Sequence, residues 1–164
     1  MKKERVRNIN EQPVLDGPVV YWMNREIRTA DNWALLYAQE VALKQRVPLL
    51  VVYTLATGPS ETKSRQWFFK MQGLREVNEG LAEKSIPFFL MRDDEEYLSQ
   101  DKMLSWCASI RAGAVITDFS PLRVQLDQIR KAKEKLECCF QTVDAHNIVP
   151  VWTASSKQEY GART

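Results

Sequence analysis

The sequence predicts an α/β fold: a doubly wound, five-stranded parallel sheet with helices on both faces. Five short apolar runs carry almost no charge, the pattern of strands covered on both sides. Four segments with apolar residues at helical spacing separate them, and that alternation builds parallel βαβ units. The 164 residues, 45% of them apolar and 27% charged, are ordinary for one globular domain.

The first 17 residues are polar and read as a flexible, solvated arm ending at Asp16-Gly17-Pro18. Val19-Val20-Tyr21-Trp22-Met23 is the first strand. A helix follows from Asn32, with Ala34, Leu35, Ala38, Val41 and Ala42 on one face and Asp31 as its N-cap or first-turn acid. Residues 48–53 form the second strand and 57–62 a polar loop. A long amphipathic helix over 64–84 places Trp67, Met71, Leu74, Val77 and Leu81 on one stripe. The third strand covers 86–91, where Pro87 is tolerable at the strand entrance. A weaker helix opens at Asp93 and ends at Gly113. Residues 114–117 are the fourth strand, 124–136 a lysine-bearing helix and 140–143 the fifth strand. The tail from Val151 is polar with exposed-looking aromatics and no evident core face.

Right-handed crossovers on both faces give the strand order 3-2-1-4-5. The switch point then lies between the first and fourth strands, beyond whose carboxyl ends such sheets bind ligands. Met23-Asn24-Arg25 and Asp118-Phe119-Ser120 meet there.

Several function classes are excluded as motifs. There is no GxGxxG after the first strand, no GxxxxGK[ST] and no GxSxG. A net charge of +2 is mild evidence against a domain that binds DNA on its own. One histidine, His146, removes any multi-histidine metal site, and no metal is expected. Cys107, Cys138 and Cys139 lack metal-type spacing, and the adjacent Cys138-Cys139 reads as buried strand or strand-edge thiols in a reducing compartment. No apolar run reaches membrane-spanning length and no signal peptide is visible, which points to the cytoplasm. Asp118 and Asp144 end strands where catalytic carboxylates often sit, but strand-end aspartates commonly cap the following turn, and that reading is favoured. His146 is read as a hydrogen-bonded structural histidine, and Trp33, Trp67 and Trp106 as core. Arg25 and Arg28 are either solvated or make multi-donor contacts to an anion.

The string YWMNREIRTADNWALLYAQEVAL resembles the start of a class II cyclobutane pyrimidine dimer (deoxyribodipyrimidine) DNA photolyase. AVITDFSPLR, VDAHNIVP and KQEYGART follow in the order of that family, so the resemblance covers residues 19–164. It implies a Rossmann-like amino-terminal domain over 18–150, with 151–164 opening an interdomain linker. In the family a helical carboxyl-terminal domain holds FAD, the electron-relay tryptophans and the DNA groove. That domain is absent here, so no residue of this chain is expected to be catalytic and the fragment alone is expected to be inert.

The implied role is light harvesting for repair of UV-damaged DNA, with a deazaflavin-type antenna chromophore held near the interdomain cleft. Met23, Asn24, Arg25, Tyr53, Asp118, Phe119 and Ser120 are the candidate antenna-binding residues. The resemblance places interdomain or structural pairing above ligand contact for Arg28 and leaves both roles open for Arg25. The implied partners are the FAD-binding domain of the parent chain and, through the parent, damaged DNA. Two alternatives are a stand-alone nucleotide-binding α/β domain and an interaction module whose Trp152 and Tyr160 dock onto a separate flavoprotein.

Overall fold

The computed structural model describes residues 3–56, 65–92 and 99–154. The elements run β1 (Val6–Asn8), β2 (Val19–Met23), α1 (Trp33–Gln45), β3 (Leu49–Leu55), α2 (Arg65–Ala82), β4 (Phe88–Arg92), α3 (Ser99–Ser109), β5 (Ala114–Asp118), α4 (Arg123–Lys135), β6 (Cys139–Val143) and the short α5 (Val151–Ala154). The sheet order is β1-β6-β5-β2-β3-β4. Its five parallel strands follow the predicted order 3-2-1-4-5, with the switch point between β2 and β5.

The sheet is nevertheless mixed, with six strands where five were expected. Val6–Asn8, assigned from sequence to a solvated arm, pairs antiparallel with β6, Val6 opposite Val143 and Asn8 opposite Gln141. Asn10 is buried just beyond it, accepting the Phe140 N–H at 2.8 Å and donating to the Cys138 carbonyl at 2.9 Å. A three-residue strand with an arginine at its centre has no apolar alternation of its own. Its stability comes from a register supplied by a partner more than a hundred residues away.

Strand β2 shows why the wound sheet forms. All five of its residues are buried. Val19, Tyr21 and Met23 face a core with α1 and α2, where Ala34, Leu35, Leu74, Val77 and Leu81 lie. Val20 and Trp22 point to the opposite core, with Met103, Leu104, Ala132 and Phe140 from α3, α4 and β6. A strand with apolar side chains at both pleat positions requires cover on both sides.

The α2 stripe is as predicted, with Leu74, Val77 and Leu81 buried and Trp67 and Met71 packed against the core. Helix α1 starts on Asn32 rather than Asp31. The Asn32 side chain accepts from the Ala34 and Leu35 N–H groups at 3.1 and 3.0 Å, whereas Asp31 sits in the left-handed region at φ 49°. Trp33, read as core, is 37% exposed. The third strand begins two residues late, after Pro87, whose carbonyl accepts from Val51 N–H. The loop at 57–62, the acidic opening of the third helical segment at 93–96 and the tail with Tyr160 lie outside the described residues.

A candidate crevice at the strand switch point

At the carboxyl ends of β2 and β5 the chain makes an internal anion site. The Asp118 side chain, 1% exposed, accepts from three consecutive backbone N–H groups. Asn24 donates to Oδ1 at 2.8 Å, Glu26 donates to Oδ2 at 2.7 Å, and Arg25 donates to the same Oδ2. Three convergent N–H groups form the kind of nest that holds a phosphate in other α/β folds. Here β5 supplies the anion, so these donors are already used. Burial pushes the Asp118 carboxyl up from the ordinary aspartate value, and the backbone donors oppose that shift.

A second knot ties the same loop to α1. The Glu26 carboxylate is buried, with side-chain exposure of 2%, and it is paired on both oxygens. Arg28 Nη2 lies 2.8 Å from Oε2, and His146 Nδ1 lies 3.0 Å from Oε1. Arg28 also donates to the Asp31 carbonyl. Asn32 Nδ2 donates to the Glu26 and Arg28 carbonyls and to the Tyr21 hydroxyl, each at 3.1 Å. Arg28 therefore has a structural partner, and His146 is hydrogen-bonded as read from sequence. Arg25 is exposed, and among the described residues its guanidinium has no hydrogen-bond or ion-pair partner.

The fold brings the candidate residues together unequally. Asn24, Arg25, Asp118, Phe119 and Ser120 converge at the switch point. Asn24 Nδ2 donates to Thr117 Oγ1 at 2.8 Å, and Phe119 N–H donates to the Val143 carbonyl at 2.8 Å. Phe119 is half-buried and meets Trp152 edge-on at 5.5 Å. Met23, Asp118 and Ser120 are buried at 0–1% exposure, and Tyr53 is 7% exposed at the end of β3. Of the set only Arg25 is exposed, and Asn24 and Phe119 are half-buried. Asp144 is buried and caps its own turn, accepting from the His146, Asn147 and Val151 N–H groups.

Two of the cavities are lined by none of these residues. One of about 380 Å³ sits at the opposite end of the sheet, lined by Cys107, Arg111, Lys135 and Cys138 among others. A groove of about 520 Å³ follows α2 and reaches the crevice loop through Ile27, with Phe69, Lys70 and Gly73 along it. Its signal in the sequence is Phe69, beside the core stripe of α2 and 81% exposed. All three cysteines are free and buried. Burial pushes Cys107 up to about 12 and Cys138 up to about 11.

The chain matches the DNA photolyase family model over residues 19–164. It is 42% identical over 167 residues to the deoxyribodipyrimidine photo-lyase of Potorous tridactylus, covering 99% of this chain and 31% of that protein. It is 40% identical to the enzyme of that name from Arabidopsis thaliana, covering 90% of this chain and 29% of that protein. Among solved structures it resembles a class III photolyase from Agrobacterium tumefaciens, with TM-score 0.63 and 17% identity over 81% of this chain and 27% of that one. It also resembles a universal stress protein from Archaeoglobus fulgidus in complex with dAMP, with TM-score 0.52 and 13% identity over 78% of this chain and 98% of that one. At those identities the structural likenesses show the fold alone. The chain spans about a third of the length of the curated relatives it matches, 29–35%. With a family match over most of its length, joined to the strand order and crevice described above, the chain belongs to the DNA photolyase family, as its amino-terminal α/β domain.

Proposed function

We propose that this domain is the light-harvesting and structural partner of a class II photolyase that uses light and FAD to repair cyclobutane pyrimidine dimers. In this reading the domain works in the cytoplasm and holds a deazaflavin-type antenna near the FAD-binding domain of its parent. It is catalytically inert alone and reaches damaged DNA only through the parent. Excitation transfer asks for a fixed chromophore and no bond-making, so the site needs shape and a few polar anchors.

The observation that carries the proposal is the crevice. Its loop is locked from behind by Asp118 and Glu26, while Arg25 is exposed and Asn24 and Phe119 are half-buried beside it. Met23, Tyr53, Asp118 and Ser120 act as its walls and braces, and the groove along α2 supplies room beside the same loop. Occupation of the backbone nest by Asp118 weighs against a nucleotide-phosphate site there.

The test is a deazaflavin titration of the chain followed by fluorescence anisotropy. A saturable rise, weakened in Phe119→Ala and Arg25→Ala, is expected. Loss in Phe69→Ala alone would move the chromophore to the α2 groove. A flat titration would remove the antenna role and leave the domain as a structural partner.

A further inference from the structure

Arg5 lies in the segment expected to be a solvated arm, yet it is 8% exposed. Its Nη1 donates to the carbonyl oxygens of Asp144 and Asn147 at 3.0 and 2.8 Å, and its Nη2 to that of Ile148 at 2.7 Å. The Arg5 carbonyl accepts from the Asp144 N–H at 2.9 Å. The guanidinium carbon lies 5.1 Å from the ring centroid of Trp33, the first residue of α1. A planar fork of N–H donors can meet three carbonyls at once, which a single ammonium on a flexible stem does poorly. The neighbouring contacts reinforce this arrangement. Trp152 Nε1 donates to the Glu4 carbonyl at 2.6 Å, and the Arg7 guanidinium lies 4.6 Å over the Trp152 ring.

The turn that Arg5 grips carries His146. That ring reaches back to Glu26, whose backbone N–H is one of the three donors held by Asp118. The contacts therefore run without a gap from the amino-terminal segment, through the turn at 144–148, to the crevice loop. Arg5 itself lies outside the region matched by the family model.

We propose that Arg5 is a positioning residue: it locks the turn at 144–148 so that His146 stays on Glu26, coupling the amino-terminal strand to the crevice. This goes beyond the antenna reading and does not depend on it.

The chain has one histidine, so its ring gives one unambiguous signal. In neutral imidazole one nitrogen carries the proton, and a carboxylate beside Nδ1 selects the Nδ1–H tautomer. The experiment is a two-bond ¹H–¹⁵N spectrum of the labelled chain at about pH 8.5, roughly two units above the ordinary histidine value. Amide exchange is measured on the same samples. The wild-type ring is expected as Nδ1–H. In Arg5→Met the ring moves toward Nε2–H, and exchange at the Asn147 and Val151 amides speeds by roughly tenfold or more, while Tyr21 and Ile116 in the central strands keep their protection. Arg5→Lys keeps charge and stem, and the same direction of change there assigns the effect to loss of the fork. A wild-type tautomer in both variants overturns the proposal. So does loss of protection spread equally through the core strands, which would make Arg5 a general stability residue.

Discussion

Replacing Asn32 with serine separates two roles that one side chain combines. As an N-cap, Asn32 accepts from the Ala34 and Leu35 N–H groups. As a donor, it reaches the Tyr21 hydroxyl and the Glu26 and Arg28 carbonyls. Serine caps helices about as well as asparagine, so a cap-only role predicts a change below about 0.5 kcal/mol. Serine also lacks the amide that makes the three donations. The Tyr21 hydroxyl lies in a fully buried residue, and losing its partner costs about 1–3 kcal/mol. The Glu26 carbonyl keeps a second donor in the Arg28 N–H at 2.8 Å, and the Arg28 carbonyl belongs to an exposed residue, so each adds only about 0.5 kcal/mol. The expected loss is about 2–4 kcal/mol, a fall in Tm of about 5–12 °C at this chain length. Asn32→Ala should lose roughly 1 kcal/mol more, the value of the cap itself. Urea denaturation of the three proteins measures both steps. An Asn32→Ser variant within about 0.5 kcal/mol of wild type would refute the view that this residue locks the arginine loop onto the helix.

Gly113→Ala should be among the most damaging single-methyl changes, because a Cβ there would sit 2.3 Å from the Leu15 carbonyl oxygen and 2.7 Å from that of Gly17. A loss beyond about 2 kcal/mol or failure to fold is expected, and near-wild-type urea stability would contradict the close backbone packing. Arg28→Ala leaves the buried Glu26 with His146 alone. Because the Arg28 side chain is 45% exposed, the expected cost is only about 1–2 kcal/mol, still above that of a surface pair, and a null effect would show Arg28 to be dispensable for the turn. With Cys107 and Cys138 held near 12 and 11, native thiols should react with a water-soluble thiol reagent at about pH 8 at least about a hundredfold more slowly than in urea. Fast labelling of the folded chain would contradict their burial. The same groups set an alkaline limit. Burial raises these thiols and the Tyr21 phenol, so their contribution to stability is intact below the unfolded values of 9.0 and 10.0 and is lost as pH rises past them. The urea midpoint should be level from about pH 7 to about pH 8.5 and then fall, and a midpoint that rises above pH 9 would reverse the sign.

The sequence by itself determined the parallel sheet and its strand order. A run such as Val19–Met23, apolar at both pleat positions, can be satisfied only between two helical layers, and the helical spacing of Leu74, Val77 and Leu81 supplies one of them. The carboxyl-end crevice followed from that order, and so did the placing of Asn24, Arg25 and Phe119 near one another. The tertiary structure alone decided what Arg28 does. The partner of Arg28 is a buried glutamate two residues before it, but that glutamate is held in place by His146, 120 residues along the chain, and its loop by Asp118. No local pattern announces such pairings, because a carboxylate's partner depends on which strand end folds beside it. The amino-terminal strand was hidden for a related reason. Val6–Asn8 has neither length nor alternation, and its structure comes from the β6 register and from three carbonyls that Arg5 meets only once the sheet has formed. Periodicity is a property of neighbours in sequence, whereas desolvating a guanidinium or a carboxylate depends on neighbours in space.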